Sequence, residues 1–419
     1  MKGGYIMNYK VLKSLYYKDK EEYLKEYERR FESISTIKLK IKNKKGSPFF
    51  IVLTPEIVSL IEEIMTAFMG LNELVNSLPM VAVTSLHRTC IIDEILLTNN
   101  IEGVNSTRKE ITEALDNTSD KAKRFNGLVR KYKLLLENEG KDIPLSDSHD
   151  LRAIYDELVL PDIEKEDKKP DGIIFRKESV SVMSPTQKEK HTGILPERKI
   201  IDYIDESLDM LNDSGIPSLI KISVLHYLIG YIHPFYDGNG RTARFLSSYL
   251  LTKYFDTLVA YRLSYAIKNS KGHYYKAFEI ANDEKNLGDL TPFVIMFLDA
   301  IYDAGCSLFA KVRDQKMELN YYYNMISQDD HIFEGKYCEL KTQILFILIQ
   351  NTLFDDNLLN IDDILSIVNQ EIPAIGKSTI RKILAEMVNS KVPVNRKRDG
   401  HQYVYSLDLE ALSKFLENN

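Results

Sequence analysis

The chain has 419 residues, 44% apolar and 28% charged, with 55 Lys and Arg against 61 Asp and Glu, a formal net charge of −6. That length suits two or three domains with separate cores, and the acidic balance excludes a protein that coats nucleic acid or an anionic membrane over its whole surface, leaving room only for a local basic patch. Three cysteines without C-x-x-C spacing (Cys90, Cys306, Cys338) exclude a disulfide frame or zinc site, the N-terminus is too charged for a secretory signal, and apolar runs such as 292–298 are too short to span a bilayer, so the expectation is a cytoplasmic protein with no membrane partner.

Residues 1–54 are rich in Lys, Glu and Tyr and read as a polar helical lead-in. From Pro55 apolar residues recur at helical spacing (Ile57, Leu60, Ile61, Ile64, Phe68). A second helix is expected from about Val83 to Ile101, closed by Gly103, and a third after the capping run Asn105-Ser106-Thr107. Further helices are expected near 122–137 and 147–158. Residues 173–183 (IIFRKESVSVM) alternate between two parities and read as a strand of a small hairpin. Helical patterns resume at 197–213, 217–232, 241–254, 272–283 and 290–325. No internal repeat is present. The last hundred residues show helices near 340–350, 361–369 and 377–389, then a basic alternating segment with an Asp399-Gly400 turn, the outline of a winged helix.

The chemistry concentrates in HPFYDGNGRTAR, residues 233–244. Pro234 ends an apolar helix at His233; Gly238-Asn239-Gly240 allows a sharp turn; Arg241 opens a new helix. A loop feeding a helix N-terminus offers unpaired N–H groups and a positive dipole end, which suits a diphosphate. His233 is placed to take a proton near neutral pH. Asp237 suits a Mg2+ that bridges phosphate oxygens. Arg241 and Arg244, three apart, share a helix face and can both reach phosphates. Base, metal ligand, anion nest and two cations within twelve residues point to phosphoryl or nucleotidyl transfer.

This segment matches the Fic motif HPFx[D/E]GNGRxxR at every specified position, and the chain resembles Fic proteins over roughly residues 55–300. The resemblance implies an enzyme that transfers AMP from ATP to a Ser, Thr or Tyr hydroxyl, with His233 as base, Asp237 holding Mg2+, Gly238, Asn239 and Gly240 lining the anion hole, and Arg241 and Arg244 on the β- and γ-phosphates. Phe235 would anchor the loop. Upstream, TNNIEG (98–103) fits the family's inhibitory pattern [S/T]xxxE[G/N], built here from Thr98, Glu102 and Gly103, and implies that Glu102 pairs with Arg244 and holds the enzyme in a low-activity state. By the same resemblance, residues 173–183 stand where a flap accepts the target protein as an added strand, Tyr274 and Tyr275 border the adenine, and a homodimer forms through the Fic core.

Other candidates read more plainly. His226, on the apolar helix, is a packed core histidine, and His191 and His273 lack metal-ligand spacing. Gly376-Lys377-Ser378 lacks the earlier glycine and the strand of a Walker A loop. Residues 377–403 hold seven Lys and Arg against two acids, a local charge of 7 − 2 = +5, which suits DNA contacts by the winged helix, with protein binding and a dimer piece as the alternatives for such a unit.

The sequence therefore predicts a mainly α protein: a lead-in (1–54), an N-terminal helical region with the inhibitory helix (55–145), a Fic-type helical core with a small β-hairpin flap (146–300), a helical connector (301–335) and a C-terminal winged-helix domain (336–419). The predicted activity is that of a protein adenylyltransferase using ATP and Mg2+, acting on a protein substrate and on itself. Two alternatives stand beside it: a Fic transferase with another phosphate-containing donor, and a DNA-binding regulator that uses the Fic pocket as a nucleotide sensor. With histidine's ordinary pKa, a base at His233 predicts activity that falls on the acid side.

Overall fold

The computed structural model describes residues 9–116, 124–137, 143–183, 189–255, 257–328, 332–355, 358–373, 375–400 and 402–417. Residues 1–8 of the lead-in, 122–123 of the helix expected over 122–137, and 329–331 of the connector lie outside the described residues. The chain divides into two compact units, residues 1–69 with 91–307, and residues 70–90 with 308–419.

The first unit begins with α1 (Leu12–Tyr16) and α2 (Lys20–Phe31), the latter capped by the Asp19 carboxylate, which accepts from the N–H groups of Glu21 and Glu22. A hairpin of β1 (Thr36–Lys42) and β2 (Pro48–Val52) follows, in register Ile37↔Ile51 and Lys38↔Phe50. The helical lead-in expected over 1–54 is corrected here. The run TIKLKIK has a period of two, with Leu39 and Ile41 buried and Lys38, Lys40 and Lys42 exposed, the pattern of a half-buried strand. Gly46, at φ 85°, supplies the left-handed residue of the turn. Phe50 donates its N–H to Gly288 O and accepts from Leu290 N, and it shares a core cluster with Leu12, Leu15 and Tyr23, packed by Leu287. Residues 9–50 thus belong to the unit that carries the 233–244 motif.

Next come α3 (Pro55–Asn76), α4 (Met80–Ile101), α5 (Arg108–Asp116), α6 (Asn126–Glu137) and α7 (Ser148–Leu158). The expected flap strand over 173–183 is corrected to a shorter, later hairpin, β3 (Ser181–Met183) with β4 (Glu189–Thr192), paired Ser181↔Thr192 and Val182↔His191. The reason lies in residues 171–178, whose backbone is held by side chains instead of a ladder. The Glu197 carboxylate accepts from the N–H groups of Ile174 and Phe175, and Asp171 accepts from Lys177 N–H. Phe175 and Arg176 are both buried.

The centre of the unit is the helical hairpin α9 (Ser218–Ile232) and α10 (Asn239–Thr252), preceded by α8 (Glu197–Asp209). Nearly every residue of both helices is buried, including the polar Lys221 and His226 of α9 and Asn239, Arg241 and Arg244 of α10, so these polar groups need partners within the core. Four helices follow: α11 (Thr257–Ala260), α12 (Leu263–Asn269), α13 (Lys271–Asn282) and α14 (Thr291–Ser327). By length and composition α14 is the one helix among the described residues able to cross a membrane. Its Phe293, Val294, Phe297, Leu298 and Ile301 are buried in the protein.

The second unit contains α15 (Cys338–Phe354), β5 (Leu359–Asn360), α16 (Ile361–Glu371), α17 (Lys377–Val388), β6 (Val394–Asp399), β7 (Gln402–Leu407) and α18 (Leu409–Glu417). The strands form one antiparallel sheet in the order β5-β7-β6. Asn360 and Asp363 close a reciprocal capping box on α16. Ile344, Ile364, Val368, Ile380 and Leu384 are fully buried core residues of this unit. The three helices and hairpin read from the sequence are present, with β5 and α18 added to them.

Candidate active site

The site is made where α9 stops and α10 starts. His233 is the C-cap of α9 in the left-handed conformation, φ 54° and ψ 62°, and its N–H still donates to Ile229 O. A non-glycine residue there is strained and persists only when its surroundings fix it. Two features do so. Pro234 prevents the helix from continuing, and Arg176 donates from Nε to His233 O at 2.8 Å. Phe235 is fully buried and stacks on Tyr155 with ring centroids 3.6 Å apart. Asn239 and Phe235 are bonded reciprocally: Phe235 N–H donates to Asn239 Oδ1 at 3.0 Å, and Asn239 Nδ2 donates to Phe235 O at 2.8 Å. The Asn239 side chain therefore braces the loop, and its backbone forms the N-terminus of α10. Gly238 has φ 80°, and a Cβ there would stand 2.3 Å from Val159 Cγ1.

Both arginines of the motif are buried, at 2% and 1% exposure for Arg241 and Arg244. Uncompensated charge at such depth is costly. Arg244 is compensated by α4 and its C-terminal turn. Its Nε donates to Thr98 Oγ1 at 2.7 Å, and its Nη2 donates to Thr98 O at 3.1 Å and to Glu102 Oε1 at 2.8 Å. Burial works against the Arg244 charge, and the Glu102 carboxylate outweighs it, so the guanidinium pKa is raised. Glu102 also stands over the start of α10: a Cβ on Gly240 would lie 2.1 Å from Glu102 Oε1. A carboxylate thus occupies the helix N-terminus, where an anion is stabilised by the dipole and free N–H groups. Gly103, at φ 73°, turns the chain away after Glu102.

Asp237 accepts from Gly238 N–H at 2.6 Å and from Lys168 Nζ at 2.9 Å, with Arg241 Nη2 3.9 Å from its Oδ1. Burial pushes its carboxyl pKa up, but the hydrogen bond and charge of Lys168 outweigh that and hold it below the ordinary value. His233 is depressed from 6.5 to about 4, chiefly because burial disfavours the imidazolium, with the charge of Arg176 adding to this and the Gly230 carbonyl, Glu102 and Asp237 opposing it. At neutral pH the ring is a free base. This moves the acid limb expected from an ordinary histidine to lower pH.

The residues present fit a nucleotide polyphosphate with a divalent cation. Arg241 Nε is buried and has no hydrogen-bond partner, which leaves a donor for an incoming anion. Asp237 already holds a cationic group, the Lys168 ammonium, on Oδ2. No cluster of three or more His, Cys, Asp or Glu suited to a metal occurs among the described residues, so Mg2+ would rest on Asp237 and phosphate oxygens, its usual manner of binding. The two tyrosines read from the sequence stand beside Arg244. Tyr274 is buried, its hydroxyl 2.8 Å from His226 Nε2, and its pKa is raised by burial against the pull of Arg244. Tyr275 is 44% exposed and is raised by burial and then by the charge of Glu102. His226 is a core histidine between Tyr274 and Ser247 Oγ, with a pKa depressed to about 3 by burial.

Three contributors were missed by sequence reasoning. Lys168 lies 69 residues before Asp237 in a charged turn that read as solvated surface. Arg176 sits within the expected flap strand and is fully buried; besides His233 O it reaches the carbonyls of Glu178, Ile194 and Ile232 at 2.5, 3.0 and 3.4 Å. Glu94, fully buried on α4, accepts from Ser264 N–H and Oγ, and its pKa is raised to about 7, mainly by burial. Its one readable signal is position, a lone acid on an apolar helix face two turns before Glu102.

The family model "Fic/DOC family" matches residues 145–251, which include the whole 233–244 motif and exclude Glu102. The chain is 32% identical over 108 residues to protein adenylyltransferase fic-1 of Caenorhabditis briggsae, covering 25% of this chain and 19% of that one. It is 36% identical over 100 residues to protein adenylyltransferase Fic of Drosophila virilis, covering 24% and 19%. The chain thus spans about a fifth of the length of the curated relatives it matches. Among solved structures, a Fic family protein from Desulfovibrio desulfuricans aligns with 85% of this chain and 97% of its own, at 22% identity and a TM-score of 0.48. Motif, loop-to-helix geometry and family match coincide over one stretch, and over residues 145–251 the chain is similar to the Fic/DOC family.

Proposed function

We propose that the protein is an adenylyltransferase that moves AMP from ATP onto Ser, Thr or Tyr hydroxyls of a protein target, itself included, and that Glu102 restrains it. The carrying observation is the mouth of α10, where a neutral, depressed-pKa histidine, a carboxylate and two buried arginines meet within one loop-to-helix turn. In the proposed step His233 removes the hydroxyl proton, the oxygen attacks the α-phosphorus, and the bond to the β-phosphate oxygen breaks. The products are the O-AMP protein and pyrophosphate, and the proton stays on His233 until solvent takes it. Bound Mg2+ on Asp237 would neutralise phosphate charge as the leaving group forms. Arg241, with its unpartnered Nε, and Arg244, once released from Glu102, would hold the β- and γ-phosphates.

The β3–β4 hairpin, tied to the His233 carbonyl through Arg176, would present the target as an added strand. A homodimer through the Fic core and a cytoplasmic setting belong to the same proposal.

Self-labelling by ATP carrying its label on the α-phosphate tests the reading. Label in Glu102→Gly that disappears in Glu102→Gly with His233→Ala is the expected result. ATP binding without label in either protein would transfer the site to another phosphate-containing donor or to a sensor role.

A further inference from the structure

The second unit carries a face that the transferase reading does not use. On α17 the residues Ile380, Ile383, Leu384 and Met387 are buried in the unit core. The opposite face presents Ser378, Arg381 and Lys382, all exposed. β6 is an edge strand of the β5-β7-β6 sheet and exposes every residue from Asn395 to Asp399, including Arg396, Lys397 and Arg398. Edge strands often carry charge to block stray pairing, but here helix and strand share one basic face. Arg396 opposes Tyr405 in the register of β6 with β7, and the charges of both Arg396 and Arg381 act on the Tyr405 hydroxyl. Arg396 also lies over the Tyr403 ring, 4.7 Å from its centroid.

Most of this charge is not neutralised within the protein. Lys377 pairs with Asp362 at 2.6 Å, whereas Arg381, Lys391, Lys397 and Arg398 make no ion pair among the described residues. Residues 377–403 carry 7 − 2 = +5 in a chain whose total is −6. Such a local reversal of sign concentrates the positive potential on one face. A helix of twelve residues is about 18 Å long and fits a major groove about 12 Å wide, while a two-stranded ribbon beside it reaches the flanking backbone. Exposed Ser378 and the arginine and lysine heads are groups that bond phosphate oxygens.

We propose that this face of the second unit, formed by the exposed side of α17 and by β6, is a docking surface for duplex DNA. The helix enters the major groove, and Arg396 and Arg398, which lie on the same face of β6, rest on phosphates. Four phosphate contacts, from Arg381, Lys382, Arg396 and Arg398, give a slope of log affinity against log salt of about −3.6, hence a roughly hundredfold loss between 50 and 200 mM salt.

The test is fluorescence anisotropy of a labelled 20-base-pair duplex of mixed sequence with the full chain over a salt series. The expected result is binding with a slope between about −3 and −4. Arg381→Ala with Lys382→Ala, and separately Arg396→Ala with Arg398→Ala, should each lower the slope magnitude by about 2 and weaken binding at 50 mM salt at least tenfold. Lys18→Ala with Lys40→Ala, at exposed lysines of the first unit, should leave it unchanged. Melting temperatures of the variants within a few degrees of the parent exclude misfolding as the cause. No binding at 50 mM salt overturns the proposal, as does binding lost equally in the first-unit pair. Displacement by polyglutamate at charge concentrations equal to those of competing DNA overturns it in favour of an acidic protein partner. Self-labelling with ATP proceeds in all these variants, so failure of this inference leaves the transferase reading standing.

Discussion

Replacing Glu102 with glycine removes the carboxylate that holds Arg244 Nη2, at 2.8 Å, and clears the oxygen that crowds Gly240 at the start of α10. A hydrogen bond between charged groups contributes about 1.5–3 kcal/mol. The Glu102 side chain is 26% exposed and its partner 1%, so solvent screening favours the lower part, about 1.5–2 kcal/mol. A ligand that must break this pair to reach Arg244 is therefore penalised roughly 10- to 30-fold. Glu102→Gly should raise the rate of self-labelling by at least that factor, and Glu102→Gln, which keeps the bulk but loses the charge, should fall between. Direct ATP binding by calorimetry separates affinity from rate. In the variant Arg244 keeps its two bonds to Thr98, so the melting temperature should fall by only a few degrees and recover as ATP is added, by mass action. Wild-type labelling rate and wild-type ATP affinity in Glu102→Gly would refute the idea that this pair is a brake.

Three further outcomes follow from the same geometry. With His233 depressed to about 4, kcat/KM for ATP in Glu102→Gly at saturating Mg2+ should be nearly flat from pH 7 to 5.5, where a base of pKa 6.5 would retain about a tenth of its activity; a tenfold fall by pH 5.5 contradicts the placement. Lys168 and Mg2+ compete for Asp237, and the ion pair is partly exposed at 45% and 30%; at about 0.5–1 kcal/mol, Lys168→Met should lower the half-saturating Mg2+ two- to fivefold, and an unchanged or higher requirement would remove Lys168 from the site. Arg176→Met leaves four carbonyls without their buried donor, a loss of about 3 kcal/mol that should lower the melting temperature by roughly 6–10 °C and reduce kcat more than it raises KM for ATP; a parent-like melting point or kcat would show that the guanidinium does not position His233.

Much of this arrangement could be read from the sequence because its signals are local. Pro234 and Gly238 announce a helix stop and a turn within six residues, and the helical patterns at 217–232 and 241–254 place helices on either side. Glu102 was readable only through a six-residue pattern, since the contact that gives it meaning spans 142 residues of chain. The misreadings share one physical cause, competition between local pattern and distant partners. Residues 173–180 alternate like a strand, yet Glu197 takes the N–H groups of Ile174 and Phe175 and Asp171 that of Lys177, and the ladder starts only at Ser181. The hairpin at 36–52 was hidden by lysines that suggested a solvated helix, although their strict alternation with Ile37, Leu39 and Ile41 already carried the strand signal. Arg176 and Lys168 could not be found this way, because an arginine that bonds only carbonyls and a lysine in a charged turn leave no spacing to read.

The reciprocal bonds between Phe235 and Asn239 close a small ring within the loop itself. Fixing a residue's backbone costs about 1–2 kcal/mol in conformational entropy, and for these five residues the cost is met during folding, before any ligand arrives. A nucleotide reaching the mouth of α10 therefore meets a receptor with little freedom left to lose. Its affinity is set by which anion occupies that mouth, and the loop behaves as a rigid socket for which Glu102 and the incoming phosphates are rival plugs.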